Sequence, residues 1–196
     1  MAIGADDRVA SDRLENTLAA LVVAINDKLL EGLANSSDLG PSDTAALVVL
    51  SRVPQRIEAV SRQLGLSHSA TVRLVDRLDA AGLARRRPGR DARSVSVALT
   101  ARGVRSARRL LAEREHILSV ALADLTVTER AALAGVVERL LVRLARDWTT
   151  AMQICRLCDI PGCEADGACP VALGAEERTH VSAEELRQRR GRGAIS

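Results

Sequence analysis

The chain has 196 residues, 47% of them hydrophobic, which suffices for one full-sized core and an appendage. One Trp with no Phe or Tyr leaves Leu, Val and Ala to fill that core, which favours interlocking helices over a β-sandwich. A net charge of +3, an acidic opening (MAIGADDRVASDRLE) and no apolar run of about 18 residues argue against a secretory signal or a membrane span.

The expected setting is therefore a soluble, cytoplasmic one, where permanent disulfides are disfavoured. Residues 8–34 are predicted to form one helix, because Val9, Leu14, Leu18, Leu21, Val22, Ile25, Leu29 and Leu33 recur at spacings of three and four. NSSDLGPSD at 35–43 breaks it. Ser42 is expected to cap a nearly all-apolar, buried helix over 43–52, with Asp43 in its first turn. Ile57, Val60 and Leu64 mark a short helix, and Gly65 supplies the positive φ of a tight turn with Leu66 packed inward. Ser67 caps a second helix, in which Val72, Val75 and Leu78 share a face. Two short helices about such a corner form a helix-turn-helix.

Next, Pro88-Gly89 begins a turn, and Val95, Val97 and Leu99 then alternate with Ser94, Ser96 and Ala98 as a half-buried strand. A hairpin with Arg90, Asp91 and Arg93 in its loop turns the motif into a winged helix. Residues 83–110 hold nine arginines against one aspartate, a density that points to a local polyanion contact. The chain-wide preference for Arg over Lys fits the codons of a GC-rich genome. Residues 101–124 return to helix. Thr126 and Glu129 fit a capping box, and the last long helix is predicted to carry Leu133, Val137, Leu140, Leu144 and Trp148 on one stripe. Its wide apolar face, with that of the first helix, suggests a subunit interface.

This order of elements resembles the MarR family of bacterial transcriptional regulators over residues 10–153. The wing is the most specific part: Asp91, Arg93, Leu99 and Thr100 fit that family's D-x-R-x5-LT pattern. VRLVDRLDAAGLARR at 72–86 is similar to its recognition helix running into the wing, with the Gly82-Leu83 step and Arg86. The resemblance implies a mainly α fold: a winged helix-turn-helix with a small β-hairpin wing and long N- and C-terminal dimerisation helices. It also implies an obligate homodimer on a pseudo-palindromic operator in double-stranded DNA. Such proteins are usually repressors, released by a small-molecule or oxidant effector. The shortage of aromatics departs from the pattern, as does everything beyond residue 154. The expected organisation is a dimerisation helix at 8–40, the DNA-binding domain at 41–100 and dimerisation helices at 101–153. A four-cysteine loop at 154–172 and a polar, partly disordered tail at 173–196 follow.

For a recognition helix in the major groove, Ser67, Ser69 and Thr71 offer hydroxyls, His68 can donate or accept, and Arg73 and Arg77 reach guanine or phosphate. His68 reads equally as a solvent-facing residue at a helix start. Arg77 reads equally as a partner of Asp76 or Asp79. Arg90 and Arg93 suit the minor groove, and Asp91 holds the tip in shape. A dimer sets its two recognition helices about 34 Å apart, one duplex turn.

All four cysteines, Cys155, Cys158, Cys163 and Cys169, fall within fifteen residues, spaced C-x2-C-x4-C-x5-C. Four thiols in a compact loop suit one tetrahedral zinc. The Cys-Pro ending keeps an iron–sulfur cluster as an alternative. Metal-free redox sensing by the thiols is a third possibility. His180, alone in a polar stretch, reads as solvated. The tail has a short helical start capped by Ser182, then a basic run. No Ser-His-Asp set, phosphate loop or carboxylate pair suggests an enzyme; His116, between glutamates, reads as a surface residue. The competing functional reading is a metal or redox sensor that acts through protein–protein contacts rather than DNA.

Overall fold

The structure, a computed structural model, describes residues 5–35, 39–88, 95–164 and 167–192. Among these, Ala5–Asn35 form α1, Pro41–Arg52 α2, Ile57–Leu64 α3 and His68–Ala80 α4. Strands Ala84–Pro88 (β1) and Val95–Leu99 (β2) follow, then Ala101–Ala121 (α5) and Val127–Leu144 (α6). Trp148–Ile154 (α7), a 3-10 turn at Cys155–Leu157, Ile160–Glu164 (α8), Pro170–Thr179 (α9) and Ala183–Arg192 (α10) complete the described chain. The fold is mainly helical with one two-stranded antiparallel hairpin, as expected. No helix among the described residues is long and apolar enough to cross a membrane.

α2 is the central post. Asp43 to Leu50 are all buried in it, and α5, α3 and β2 pack around it. Its start differs from expectation: Gly40 precedes it, and Pro41, not a Ser42 cap, opens the first turn. The proline ring already holds the helical φ and lacks the N–H that a cap would have to satisfy. Leu47, Val60, Leu74, Val75, Leu78, Val97 and Leu110 close a shared aliphatic core under the helix-turn-helix. At its corner Gly65 has φ 66°, the left-handed region expected of it, and the Leu66 amide donates to the Ser61 carbonyl at 3.0 Å. The Ser67 side chain accepts from the Ala70 amide and caps α4.

The hairpin pairs Ala84 with Leu99 and Arg86 with Val97, and Gln55 adds a bridge to Val97. The alternation in β2 holds only near its base. Val97 is buried while Val95, toward the tip, is exposed; Ala98 on the opposite face is also buried, because α2, α3 and α5 all press on this strand. The Thr100 hydroxyl donates to the Gly82 carbonyl at 2.7 Å and accepts from the Gly103 amide at 3.1 Å. One side chain thus ties the Gly82-Leu83 step to Leu99-Thr100 and caps α5.

The capping box of Thr126 and Glu129 is present. The single stripe expected from Leu133 to Trp148 is not. α6 ends at Leu144, and Asp147 caps α7 by accepting from the Thr150 amide. An Asp three residues into a polar break stops one helix and starts the next. α6 itself buries no residue, and Leu133, Val137, Leu140 and Leu144 lie bare along it, as do Leu14, Leu18, Leu21 and Val22 along α1.

Candidate DNA interface and cysteine cluster

α4 presents one face to solvent and the other to the core, and that division sorts the expected contacts. Ser67, His68, Ser69 and Arg73 are exposed at its N-terminal end. Ser67 and Ser69 lie 3.3 Å apart through their hydroxyls, and His68 Nδ1 stands 3.8 Å from Glu58 Oε1 on α3. Thr71 belongs to the other face and corrects the expectation: it is fully buried. Its hydroxyl donates to the Ser67 carbonyl and receives the Ser61 hydroxyl, each at 2.9 Å, so it stitches α4 to α3 instead of facing outward.

Arg77 is likewise engaged inside the molecule, though with neither expected partner. Its Nη2 donates to Asp43 Oδ1 at 2.6 Å and its Nε to Oδ2 at 3.4 Å. The two-pronged hydrogen bond and the nearby carboxylate charge raise the guanidinium above its ordinary pKa. The carboxylate is nine-tenths covered and needs this cation. Arg86 in β1 pairs with Asp76 on α4 at 2.7 Å. Arg85 and Arg87, which the sequence reading left out of the site, flank Arg86 and are exposed; successive residues of a strand point to opposite faces, so an RRR run always offers some of its guanidiniums outward. Arg90, Asp91 and Arg93 lie outside the described residues. The Asp76–Arg86 bridge ties the C-terminal half of α4 to the arginine-rich strand β1, a pairing of helix and basic strand suited to a groove and its adjoining phosphates.

The second cluster begins where α7 ends. Cys155 and Cys169 are buried, Cys158 is half-buried and Cys163 exposed; none is in a disulfide. The segment is a set of short helices rather than the loop expected. The Cys155 thiol hydrogen-bonds to Cys158 and Cys169, which raises its own pKa and lowers theirs. Cys169 also receives the Ala172 and Val171 amides, as the N-terminal residue of α9 can. Arg114 and Arg52 further favour the Cys158 thiolate, whereas burial pushes the Cys163 thiol up to about 11. Cys163 and Cys169 Sγ stand 3.9 Å apart. No group of three or more Cys, His, Asp or Glu among the described residues already forms a metal-binding set.

Arg52 is the residue that sequence reading missed here. From the end of α2 its Nη2 donates to the Cys155 carbonyl at 2.6 Å and the Cys158 carbonyl at 3.1 Å. Beyond residue 173 the described chain continues α9 and forms α10. α9 packs along α6, with Arg178 Nη1 donating to the Val142 carbonyl at 2.7 Å and the Ala145 carbonyl at 3.3 Å. Trp148 Nε1 donates to the Val181 carbonyl at 2.9 Å, and the expected cap holds: the Glu185 amide donates to Ser182 Oγ at 3.1 Å. His180, with φ 53°, ends α9 in the left-handed conformation.

Residues 37–94 match the sequence model of the MarR family. No curated protein matches the chain. Among solved structures, the YusO protein from Bacillus subtilis superposes with a TM-score of 0.60 at 25% identity, covering 70% of this chain and 97% of that one. A probable transcriptional regulator from Pseudomonas aeruginosa gives 0.51 at 28% identity, covering 65% and 98%. A MarR family protein from Bacillus stearothermophilus gives 0.60 at 23% identity, covering 71% and 96%, and speaks for the fold alone.

Proposed function

We propose that this chain, which carries a MarR family winged-helix domain at residues 37–94, is a sequence-specific DNA-binding transcriptional regulator, a repressor that acts as a homodimer on a pseudo-palindromic site. The observation that carries the reading is the pairing of two elements. Ser67, His68, Ser69 and Arg73 stand bare at the start of α4, and the Asp76–Arg86 bridge ties the later part of the same helix to the basic strand β1. Hydroxyls and an Arg fork at the N-terminal end of a helix read base edges, while Arg85 and Arg87 neutralise phosphate. The family resemblance assigns the minor-groove contact to Arg90 and Arg93, with Asp91 as the residue that holds the tip. Regulation, not catalysis, is the reading.

The bare apolar faces of α1 and α6 support dimerisation. Leu133, Val137, Leu140 and Leu144 on one side of α6 are 38–59% exposed, and Leu14, Leu18, Leu21 and Val22 on α1 are 44–67% exposed; contiguous bare apolar stripes of this kind mark contact surfaces. A groove of about 530 Å³ between α1 and α5, lined by Leu21, Ile25 and Ile117, continues the same surface. A second copy covers these faces and sets the spacing of the two recognition helices.

The test is fluorescence anisotropy with a duplex selected from fragmented genomic DNA. Arg73→Ala is expected to weaken that duplex by about tenfold, the value of a lost Arg fork on guanine. Replacing Arg85 and Arg87 together by Ala is expected to shallow the salt dependence by one or two phosphate contacts and to act on all sequences alike. Sedimentation should report twice the chain mass. Wild-type affinity in both variants at two salt concentrations would remove this face from DNA recognition.

A further inference from the structure

We propose that Cys155, Cys158, Cys163 and Cys169 hold one thiophilic divalent cation of the zinc class, and that this centre braces the helix-turn-helix against α6. The metal half stands by itself; the effect on DNA rests on the regulator reading above.

The four cysteines are gathered in one place. Cys163 and Cys169 Sγ lie 3.9 Å apart, the Cys158 amide donates to the Cys155 carbonyl at 3.0 Å, and Cys155 and Cys169 share one buried cluster with Cys158 packed against it. An ion with Zn–S bonds of about 2.3 Å sets tetrahedral sulfurs about 3.8 Å apart, so the Cys163–Cys169 separation is that of two ligands on one ion. Cys155 and Cys169 form the buried half of the set. Cys158 and Cys163 border an open groove of about 630 Å³ with Arg108, Arg114 and Asp159, through which an ion enters. As the four S–metal bonds form, each thiol still protonated releases its proton to solvent. The product carries two negative charges, and guanidinium groups are in place for it: Arg114 lines the groove, and Arg52 sits behind the Cys155 and Cys158 carbonyls. Arg52 Nε is buried with no hydrogen-bond partner among the described atoms.

The anchoring of each half gives the centre a mechanical role. Cys155 and Cys158 are tied through Arg52 to the end of α2, the central post of the DNA-reading head. α7 rests on α3 as well, where Gln153 Nε2 donates to the Arg62 carbonyl at 3.3 Å. Cys169 starts α9, which Arg178 fastens to the last turn of α6. A Cβ at Gly174 would collide with the Val142 carbonyl oxygen, so α9 and α6 are in backbone contact there. One ion shared by the four thiols therefore bonds a segment held by the head to a segment held by the exposed, interface-forming helix. Without the ion, the hydrogen bond from Trp148 to the Val181 carbonyl and the apolar cluster around Ala151, Val171 and Ala175 join the two.

The experiment uses the full chain purified without oxygen. Elemental analysis is expected to give one zinc per chain with no visible absorption band, and Cys163→Ser, at the exposed position, is expected to hold zinc at least tenfold more weakly with unchanged helical content. Iron with a visible band, two disulfides, or zinc well below one per chain would overturn the metal site. Stripping zinc with a chelator is expected to weaken the selected duplex by about tenfold, within the span usual for coupled sites, and zinc chloride alone restores it. Arg178→Ala, which unfastens α9 from α6 without touching a thiol, is expected to keep its zinc yet bind duplex equally with and without it; a variant that still responds to zinc would sink the coupling. Wild type indifferent to zinc removal would sink the coupling. One zinc per chain with no duplex binding in the loaded protein would sink the regulator reading and the coupling with it, and leave the metal site standing.

Discussion

Residues 57–83 and residues 148–179 both fold short helices about tight corners, but different material fills them. Under the helix-turn-helix lie Val60, Leu74, Val75 and Leu78, each at most 1% exposed. The C-terminal corner encloses Ala145, Ala151, Val171 and Ala175 with two thiols, Cys155 and Cys169, among them. Branched aliphatic chains each remove enough apolar area to stabilise a fold by about 1.5–3 kcal/mol, whereas alanines and thiols remove much less. The head therefore stands on its own hydrocarbon, and the C-terminal segment depends on polar clamps from Arg52, Arg178 and Trp148. A small unit with a thin core needs a staple, and four clustered thiols are the means at hand.

The comparison breaks most visibly in the head. Leu78→Ala should cost about 2–5 kcal/mol, the range for emptying a fully packed leucine site, and should appear in urea unfolding followed by circular dichroism. A loss below about 1 kcal/mol would mean the head does not rest on this core. Gly174→Ala tests the other region. Its new Cβ meets the Val142 carbonyl, so α9 must lift from α6 at a cost of about 1–3 kcal/mol. Amide hydrogen exchange should quicken in α9 and leave α4 unchanged. Equal quickening in α4 would make the two regions one cooperative unit.

That contrast also decides what can be read from the sequence. The head is written in local signals: Gly65 at the corner, Ser67 as a cap, the Thr126–Glu129 box, and Leu99-Thr100 beside Gly82-Leu83. Each acts over a few residues or one hairpin, so a single chain displays it. The C-terminal order is written in contacts. Nothing within several residues of Arg52 tells that it reaches carbonyls more than a hundred positions away, and Asp43 meets Arg77 only through the fold. α9 looked like polar tail because its buried face is Val171, Gly174 and Ala175, small residues whose three-and-four spacing is easily passed over beside charged neighbours.

Thr71 marks where a local signal was present and misread. Residues 71, 74, 75 and 78 form the buried face of α4, a spacing of three, one and three that places Thr71 with the core, whereas its hydroxyl suggested a contact with DNA. Thr71→Val separates the two roles. The partners of the lost hydroxyl remain satisfied: the single Ser61 hydroxyl proton turns to the Ile57 carbonyl, 2.9 Å away, and the Ser67 carbonyl still receives the Thr71 amide at 3.0 Å. With no group left stranded, the cost should be only about 1 kcal/mol, read as a lower urea midpoint at unchanged slope. Duplex affinity of the folded variant should equal that of wild type at low and high salt. Weaker binding with full stability would put the hydroxyl on the DNA after all, and would require α4 to turn on its axis when it enters the groove.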